Sequence, residues 1–370
     1  MKKILVTANL DSFFIKFLIP YLKFFKEKDY EVHIATKSSG FNIPYCNKFF
    51  EVDFARSLNI KQNLKSYIQL KKVLKEEFYD IIFCHTPLGG AITRIASIKY
   101  RKKGTKIIYV AHGFHFFKGA PLKNWLLFFS TEKFLSRYTD IILTMNYEDY
   151  ENASKKFKTK VETIPGIGLN LAKFDLILSK NEKDVLLKSL NLDKKDFIGI
   201  YAAEISKNKG QVQLIKGLEK VIKKYSNIHI LLPGKDLTNG ECQKTINTLG
   251  LNRNVHLLGF RDDIPQLLKI SNFAFSSSKR EGLPLNILEA MYCQLPIIAY
   301  NCRGMQDLII DGENGYLVPL NNNSRFNERL IDLYNGHLTN YANINKEIIS
   351  KFSVENSLKV FYEACKEYID

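Results

Sequence analysis

Two carboxylates within one short stretch are the residues of this sequence best suited to chemistry. Glu281 and Glu289 flank a Gly-Leu-Pro turn inside residues 276–304, after a run of serines and before an apolar run. A helix that begins at such a turn presents free backbone N–H groups and a partial positive charge, which suits a bound diphosphate. Glu281 would lie just before that helix and Glu289 about two turns inside it. The pattern predicts carboxylates that contact different parts of one anionic ligand; two surface acids on a proline-initiated helix are the alternative.

A lysine-rich loop at residues 201–211 is the second candidate for a phosphate site. It follows a predicted strand and precedes an apolar-periodic helix at 212–218. Cations at a strand-to-helix turn can hold a diphosphate. Lys209 is the first choice for that role and Lys207 a helper, while solvated loop lysines are the alternative in so lysine-rich a chain.

Histidines follow successive predicted strands in the first half of the chain. His112 comes directly after a strand and before a glycine, so its imidazole should emerge at the carboxyl end of the sheet, where such sheets bind ligands. His85 follows the preceding strand, and we expect it to organise the loop or an acceptor pocket. A lone histidine is usually structural, but this clustering in a histidine-poor chain favours a functional role for His112.

The segment 114–125 interleaves aromatic residues with lysines. Phe116, Lys118 and Trp125 are its candidate contacts with an acceptor or an anionic membrane surface, because lysine meets phosphate while rings lie near acyl chains. Residues 81–131 hold eight Lys or Arg and no Asp or Glu, in a chain of net charge +16. For the segment 114–125, the alternative is a loop that packs into the core with one solvent-exposed edge. RNA stacking would use similar residues, but without a helix-turn-helix, RNP or zinc pattern no nucleic-acid partner is expected.

The elements that must position these residues alternate between strands and helices. The predicted strands are apolar runs at 3–8, 31–35, 80–84, 106–110, 140–144, 197–202, 229–232, 255–258, 273–276 and 296–299. Alternation of this kind predicts parallel βαβ units in doubly wound α/β sheets. A chain of 370 residues exceeds one comfortable core. The Pro/Gly break at 165–168 and the polar run at 178–184 are therefore the predicted hinge between two domains.

Composition excludes several other classes of protein. Six scattered cysteines without a C-x-x-C pair favour a reducing compartment and argue against zinc or a disulfide framework. We expect neither a signal peptide nor a membrane span, because no cleavage site and no apolar window of about 18 residues is found. No D-x-D pair stands at a nucleotide-binding strand end. We therefore expect no metal and no cofactor, with Lys209 and helix dipoles compensating the phosphate charge instead.

These motifs together resemble the family 4 retaining glycosyltransferases of the GT-B fold. The resemblance rests on the 276–304 block and on the segments HTPLGG, AHGFHFFKGAPLKNWL, TIPGIGLN and AAEISKNKG. It implies two Rossmann-like domains facing across a cleft, with a C-terminal helix crossing back to the first domain. Residues 1–168 would bind the acceptor, residues 169–345 the nucleotide-sugar donor, and residues 346–370 would form the crossing helix.

The resemblance also implies roles for residues that match the family's motifs. Glu281 would contact the donor sugar and Glu289 the ribose, while His112 would lie beside the reacting centre. The loop at Arg261 would receive the base, and four backbone positions would face the phosphates and sugar: Gly282, Leu283, Pro284 and Leu285. The sequence departs from the family at Glu204, where an Arg is usual, at Gln294, where a small residue is usual, and at Asp307, where Glu is usual.

The quoted segments are most similar to transferases that build capsular or exopolysaccharide repeat units on a lipid carrier. The resemblance implies a metal-independent hexosyl- or N-acetylhexosaminyltransferase that takes its sugar from a nucleoside diphosphate, with UDP favoured, and retains the anomeric configuration. Its acceptor would be a polyprenyl-diphosphate-linked saccharide, met in the cytoplasm at the inner face of the plasma membrane. A nucleotide-sugar isomerase of the same fold and a non-catalytic membrane- or nucleic-acid-binding protein remain as alternatives.

Overall fold

The computed structural model describes residues 1–55 and 58–370, and the chain divides into two compact units. Met1–Gly168 and Phe352–Asp370 form the first unit, and Leu169–Lys351 forms the second. Residues 346–351 thus belong to the second unit rather than to the terminal helix in which the sequence placed them. The polar run 178–184 is not a hinge, because it begins a helix of the second unit in which the Ser179 side chain accepts from the Glu182 N–H in a capping box.

The first unit follows the expected alternation of strands and helices. Its regular elements up to the division are β1 (Lys3–Leu10), α1 (Asp11–Phe13), α2 (Ile19–Glu27), β2 (Glu31–Lys37), β3 (Lys48–Glu51), α3 (Ile60–Glu76), β4 (Ile81–His85), α4 (Pro87–Arg101), β5 (Lys106–Ala111), α5 (Leu122–Asn124), α6 (Ser130–Leu135), β6 (Ile141–Thr144), α7 (Tyr147–Ser154) and β7 (Lys160–Thr163). Two π-helical segments, Phe14–Leu18 and Trp125–Phe129, precede α2 and α6. Two 3-10 turns, Ser136–Tyr138 and Ala172–Phe174, complete the connections around the division.

The second unit and the terminus continue the same pattern. Their elements are α8 (Lys180–Ser189), β8 (Phe197–Ile200), α9 (Gln211–Lys224), β9 (Ile228–Pro233), α10 (Glu241–Leu249), β10 (Val255–Gly259), α11 (Ile264–Ile270), β11 (Phe273–Ser276), α12 (Leu285–Tyr292), β12 (Ile297–Tyr300), β13 (Gly315–Val318), α13 (Asn323–Tyr334), α14 (Tyr341–Ser350) and α15 (Val354–Ile369). Among the described residues, no helix is both long and apolar enough to cross a bilayer.

Each unit is built on one parallel sheet. The first sheet has the strand order β3-β2-β1-β4-β5-β6-β7 and the second β10-β9-β8-β11-β12-β13. In the first, Val6 of β1 pairs with Ile34 on one side and Phe83 on the other, so the chain reverses its winding direction at β1. The same reversal occurs at β8 in the second sheet. Both orders are the doubly wound pattern, and the α/β class predicted from the sequence is confirmed.

The terminal helix packs on the first unit, as the fold class predicted. Phe361 of α15 is fully buried, with its ring centroid 5.0 Å from that of Tyr21 and 5.2 Å from that of Phe83. At the end of the helix the Tyr30 hydroxyl donates to the Ile369 carbonyl at 2.6 Å. Aromatic burial of this kind stabilises the association by the transfer of apolar surface out of water.

Candidate functional site

The winding reversal of the second sheet brings two of the predicted site loops together. The chain leaves β8 toward Lys209 and leaves β11 toward Glu281, and these two strands are hydrogen-bonded neighbours. Ligands of open α/β sheets bind beyond the carboxyl ends of the strands at such a reversal. The topology therefore places both candidate residues where a ligand site of this fold is expected.

Lys209 and Glu281 form an ion pair at this position. The Lys209 Nζ lies 2.5 Å from the Glu281 Oε1, with 23% and 13% of the two side chains exposed. The Ser278 hydroxyl donates to the same Oε1, also at 2.5 Å. Because both groups are partly exposed, each can leave the ion pair and bind a ligand group instead. For the lysine that group would be a phosphate, and for the glutamate a sugar hydroxyl.

A chain of hydroxyl groups leads from the sheet to Glu281. The Ser276 hydroxyl donates to the Tyr201 hydroxyl at 3.2 Å, and the Tyr201 and Ser278 hydroxyl oxygens lie 2.6 Å apart. Because the Ser278 hydroxyl donates its one proton to Glu281, the Tyr201 hydroxyl must be the donor to Ser278. Tyr201 is only 1% exposed, and burial first, then the charge of Glu281, raises its pKa far above the ordinary value. The phenol is therefore a permanent neutral donor that fixes Ser278 and, through it, Glu281.

Close backbone approaches hold the same loops in place. Gly210 has φ 75°, and a Cβ there would stand 2.5 Å from the Ser277 carbonyl oxygen. Gly304 has φ 80°, and a Cβ there would stand 2.6 Å from the Gly282 carbonyl oxygen. The Arg303 Nε donates to the Glu281 carbonyl at 2.9 Å. Glycine is required at both approaches for its conformation as well as for its size.

Helix α12 begins at Leu285, directly after this loop. Pro284 is its N-cap and has no N–H, so it shapes the turn but cannot donate to a phosphate, whereas Gly282, Leu283 and Leu285 carry backbone donors. The expectation that backbone amides at all four positions contact the phosphates and sugar is therefore corrected at Pro284. The first N–H groups of α12 have no acceptor within the helix and, with the helix dipole, favour an anion at this end.

Glu289 lies further along α12, in the same unit. Its Oε1 is 3.3 Å from the Lys173 Nζ, and its side chain is 19% exposed. Burial raises the pKa of this carboxyl, and the Lys173 charge opposes that shift. The Glu289 carboxylate is therefore ion-paired and partly exposed, rather than packed into the core.

The remaining donor-side candidates are loop residues. The Arg261 guanidinium makes a two-pronged ion pair with Asp263, with contacts of 2.7 Å and 2.5 Å. This engages its side chain and leaves its loop backbone as the part that can meet a base. Lys207 is exposed and lines a cavity of about 210 Å³ together with Lys279 and Thr238.

In the first unit, the two predicted histidines contact each other. The His85 Nδ1 lies 3.1 Å from the His112 Nε2, and the Phe13 ring centroid lies 5.0 Å from that of His112. Burial lowers the pKa of His112 to about 4. The pKa of His85 is lowered by burial and then by His112. Both imidazoles are thus neutral near pH 7. His85 is fully buried, so it can orient His112 but cannot itself reach a ligand.

The predicted acceptor and membrane contacts divide between core and surface. Phe116 is fully buried, with its ring stacked on Phe114 at 4.6 Å, so its prediction as a contact with a membrane surface is wrong, while its contact with an acceptor stays a prediction. The cause is that the segment packs its alternate rings inward, as the core-loop alternative described. Trp125 is partly buried, 5.4 Å from Phe116 between ring centroids, and Lys118 is exposed.

Two family models match the chain, one in each half. The model described as Glycosyl transferase 4-like matches residues 3–146, and the model described as Glycosyl transferases group 1 matches residues 182–350. The Putative glycosyltransferase EpsD of Bacillus subtilis (strain 168) is 40% identical over 335 residues, covering 90% of this chain and 87% of that relative. This chain belongs to that glycosyltransferase family. The resemblance inferred from the sequence motifs is confirmed.

More distant likenesses agree with the family. The glycosyltransferase is 26% identical over 340 residues to the UDP-Gal:alpha-D-GlcNAc-diphosphoundecaprenol alpha-1,3-galactosyltransferase of Escherichia coli, covering 88% of this chain and 86% of that one. The structure of Anabaena Alr3699/HepE in complex with UDP and glucose matches with a TM-score of 0.76 at 18% identity, over 99% of this chain and 100% of that chain. The sucrose-phosphate synthase of Thermosynechococcus elongatus matches with a TM-score of 0.79 at 15% identity, over 100% and 99%. These structures show the shared GT-B fold.

Sequence reasoning missed the residues that hold the glycosyltransferase's paired carboxylate and lysine. Tyr201 and Ser278 are separated by 77 positions, and each is unremarkable in its own segment. The serine run after a buried strand was the one available signal, since consecutive buried polar residues need partners. Lys173 was missed for the same reason, because its partner Glu289 is 116 positions away.

Proposed function

We propose that this glycosyltransferase moves a sugar from a UDP-sugar to a polyprenyl-diphosphate-linked saccharide, with retention at the anomeric carbon, in the synthesis of a bacterial surface polysaccharide. The observation that carries the proposal is the Lys209–Glu281 pair at the winding reversal of the second sheet. The names of two relatives, from Escherichia coli and Campylobacter jejuni, specify diphospho-undecaprenol acceptors, and HepE was solved with UDP. These names support the donor and acceptor classes.

The donor would be held by groups of the second unit. Lys209 turns from Glu281 to the diphosphate, assisted by the first N–H groups of α12 and by Lys207. Glu281, freed of the lysine but still fixed by Ser278, accepts from hydroxyls of the sugar, while Glu289 accepts from the ribose and the loop at Arg261 meets the base. The N–H groups and lysines around the diphosphate are in place before negative charge develops on it. This is the condition for effective stabilisation of a leaving group.

The reaction would proceed on one face of the sugar. The bond between the anomeric carbon and the diphosphate oxygen breaks, and a bond from the anomeric carbon to the acceptor oxygen forms on the same face. The acceptor hydroxyl gives its proton to an oxygen of the departing diphosphate, so no separate base is required. The neutral His112 would position the reacting centre through a hydrogen bond, since an imidazole whose pKa is about 4 is not a cation at neutral pH.

The proposed sugar class is a hexose or N-acetylhexosamine, and the proposed location is the cytoplasm at the inner face of the plasma membrane. Exposed leucines lie close in sequence to lysines in α5 and the adjoining π-helical segment, as an anionic lipid surface requires. No divalent ion is assigned a role, because Lys209 and the helix starts supply the compensating charge.

A panel of nucleotide sugars offered with a short polyprenyl-diphosphate-saccharide tests the proposal. The expected result is release of UDP with one sugar of the panel, in equal amount to a lengthened acceptor. The new linkage should have the anomeric configuration of the donor. EDTA should leave the activity unchanged. Inversion of configuration would overturn the mechanism, and loss of activity in EDTA would overturn metal independence. Epimerised donor without acceptor would favour the isomerase alternative.

A further inference from the structure

The first unit contains an apolar cavity that none of the assigned roles uses. It has a volume of about 90 Å³ and lies between α4, the loop after β5 and the π-helical segment Trp125–Phe129. Its lining includes Leu88 and Ala91 of α4, Phe114 and Phe116 of the loop, and Leu127 and Phe128 of the π-helical segment. π-helical turns are rare and are frequent at functional sites.

We propose that this cavity binds an isoprenoid unit of the lipid carrier, an inference that rests on the proposed polyprenyl-linked acceptor. An apolar cavity of about 150 Å³ stays dry and binds benzene. Because a branched five-carbon group is about as large as benzene, a cavity of about 90 Å³ holds the methyl-bearing part of one such group and leaves the rest of the chain outside. That group is the repeating unit of a polyprenyl chain.

The polar groups on the cavity wall are turned toward one another. The Glu132 Oε2 lies 2.8 Å from the Arg94 Nη2, and the Tyr109 hydroxyl donates to the Glu132 Oε1 at 3.4 Å. The Thr131 hydroxyl donates to the Leu127 carbonyl at 2.7 Å. A sugar would need such groups for its own hydroxyls, whereas an isoprenoid chain needs apolar contact alone.

The surroundings of the cavity suit a longer amphiphile with an anionic head. Leu122, Leu126 and Leu127 are 73%, 67% and 50% exposed, so further chain units would find apolar surface outside the cavity. Lys118 precedes these residues in sequence, Lys123 lies between Leu122 and Leu126, and both lysines are exposed. Glu148 accepts from the Lys118 backbone N–H at 2.5 Å, so this edge includes one acid beside its lysines. Apolar surface beside lysines is complementary to a diphosphate-linked isoprenoid.

The single tryptophan provides a direct readout of occupancy. Trp125 stands 5.4 Å from Phe116, a lining residue, and is the one tryptophan of the chain. Titration of the full-length protein with farnesyl diphosphate should change its fluorescence saturably, whereas inorganic diphosphate should not. Ala91→Phe fills the cavity and should raise the apparent Kd for farnesyl diphosphate at least tenfold, equivalent to about 1.4 kcal/mol. Ile95→Phe adds bulk at an exposed position of the same helix and is the matched control.

Activity separates this inference from the proposed function. With Ala91→Phe, the KM for a polyprenyl-diphosphate-saccharide acceptor should rise, while the KM for an acceptor that carries a methyl group in place of the polyprenyl chain stays unchanged. Leu88→Phe provides a second filling variant if thermal unfolding shows that the first has not folded. Equal farnesyl diphosphate binding by the filled and unfilled proteins would overturn the inference. So would saturation by phospholipid vesicles alone, which would assign the cavity to a membrane lipid. Farnesyl diphosphate binding without any sugar transfer would instead overturn the proposed function.

Discussion

At the scale of single residues, Glu281 depends on partners that are distant in sequence. The sequence alone identified Glu281 and Lys209 as separate candidates, and the structure joins them at 2.5 Å. The sequence alone could not identify Tyr201, because a hydrogen bond between residues 77 positions apart leaves no local pattern. Phe116 was misplaced because an aromatic-lysine segment looks the same whether its rings face a membrane or a core.

Removal of the Tyr201 hydroxyl should reduce activity more than stability. In Tyr201→Phe, Ser278 loses its donor and Glu281 loses its fixed orientation, so we expect kcat to fall about tenfold, in line with the loss of one buried hydrogen bond. Tyr300→Phe is the matched control, since Tyr300 is equally buried in the same unit and donates to Asn323 at 2.6 Å without contacting Glu281. Equal kcat values for the two variants, with equal unfolding temperatures, would contradict a positioning role for Tyr201.

The histidine pair of the first unit should make folding sensitive to acid. The pKa of His112 is about 4 in the folded protein against an ordinary value of 6.5, so between these values the unfolded chain binds more protons. Stability should therefore fall as pH decreases from about 6.5 toward 4 and be unaffected by this group at higher pH. His112→Asn should flatten that part of the profile in urea unfolding. The partly buried His256, whose pKa is also about 4, contributes equally to both proteins and cancels. A steeper profile in the variant would contradict the assignment.

At the scale of elements, apolar runs predicted the central strands well, because strands buried on both faces are continuously apolar. The edge strands β3 (Lys48–Glu51) and β7 (Lys160–Thr163) were missed because both are short and carry exposed charged residues. β13 (Gly315–Val318) was missed because it has four residues and begins with glycine, which weakens a strand pattern. The π-helical segments have no established sequence signal and could not be predicted.

The terminal helix provides the test of the first unit's packing. Phe361→Ala should lower the free energy of unfolding by about 3–5 kcal/mol, the usual range for removing a fully buried aromatic side chain. Lys359→Ala, at an exposed position of the same helix, should change it little. Thermal or urea unfolding of both variants measures the difference. Comparable stabilities would mean that α15 contributes little to the first unit.

At the scale of the whole molecule, charge is the property most visible in sequence. The net charge of +16 and the acid-free stretch 81–131 predict attraction to anionic lipid. Co-sedimentation with anionic vesicles should be strong at low salt and weaken as ionic strength rises, since exposed charges are screened beyond about 10 Å at 0.1 M. Lys118→Glu/Lys123→Glu should weaken binding more than the same change at Lys220 and Lys223 on α9. No binding at low salt would contradict the membrane proposal.

The central claim is that the Lys209–Glu281 pair forms the donor site, and one comparison of variants tests it most directly. Glu281→Gln keeps the shape of the side chain and Lys209→Ala removes the cation, while Lys223→Ala breaks an exposed ion pair of the same unit as the control. Transfer of sugar to the polyprenyl-diphosphate acceptor, measured with UDP release, should fall at least a hundredfold in the first two and stay unchanged in the third. Full activity in either Glu281→Gln or Lys209→Ala, with normal folding, would contradict the account.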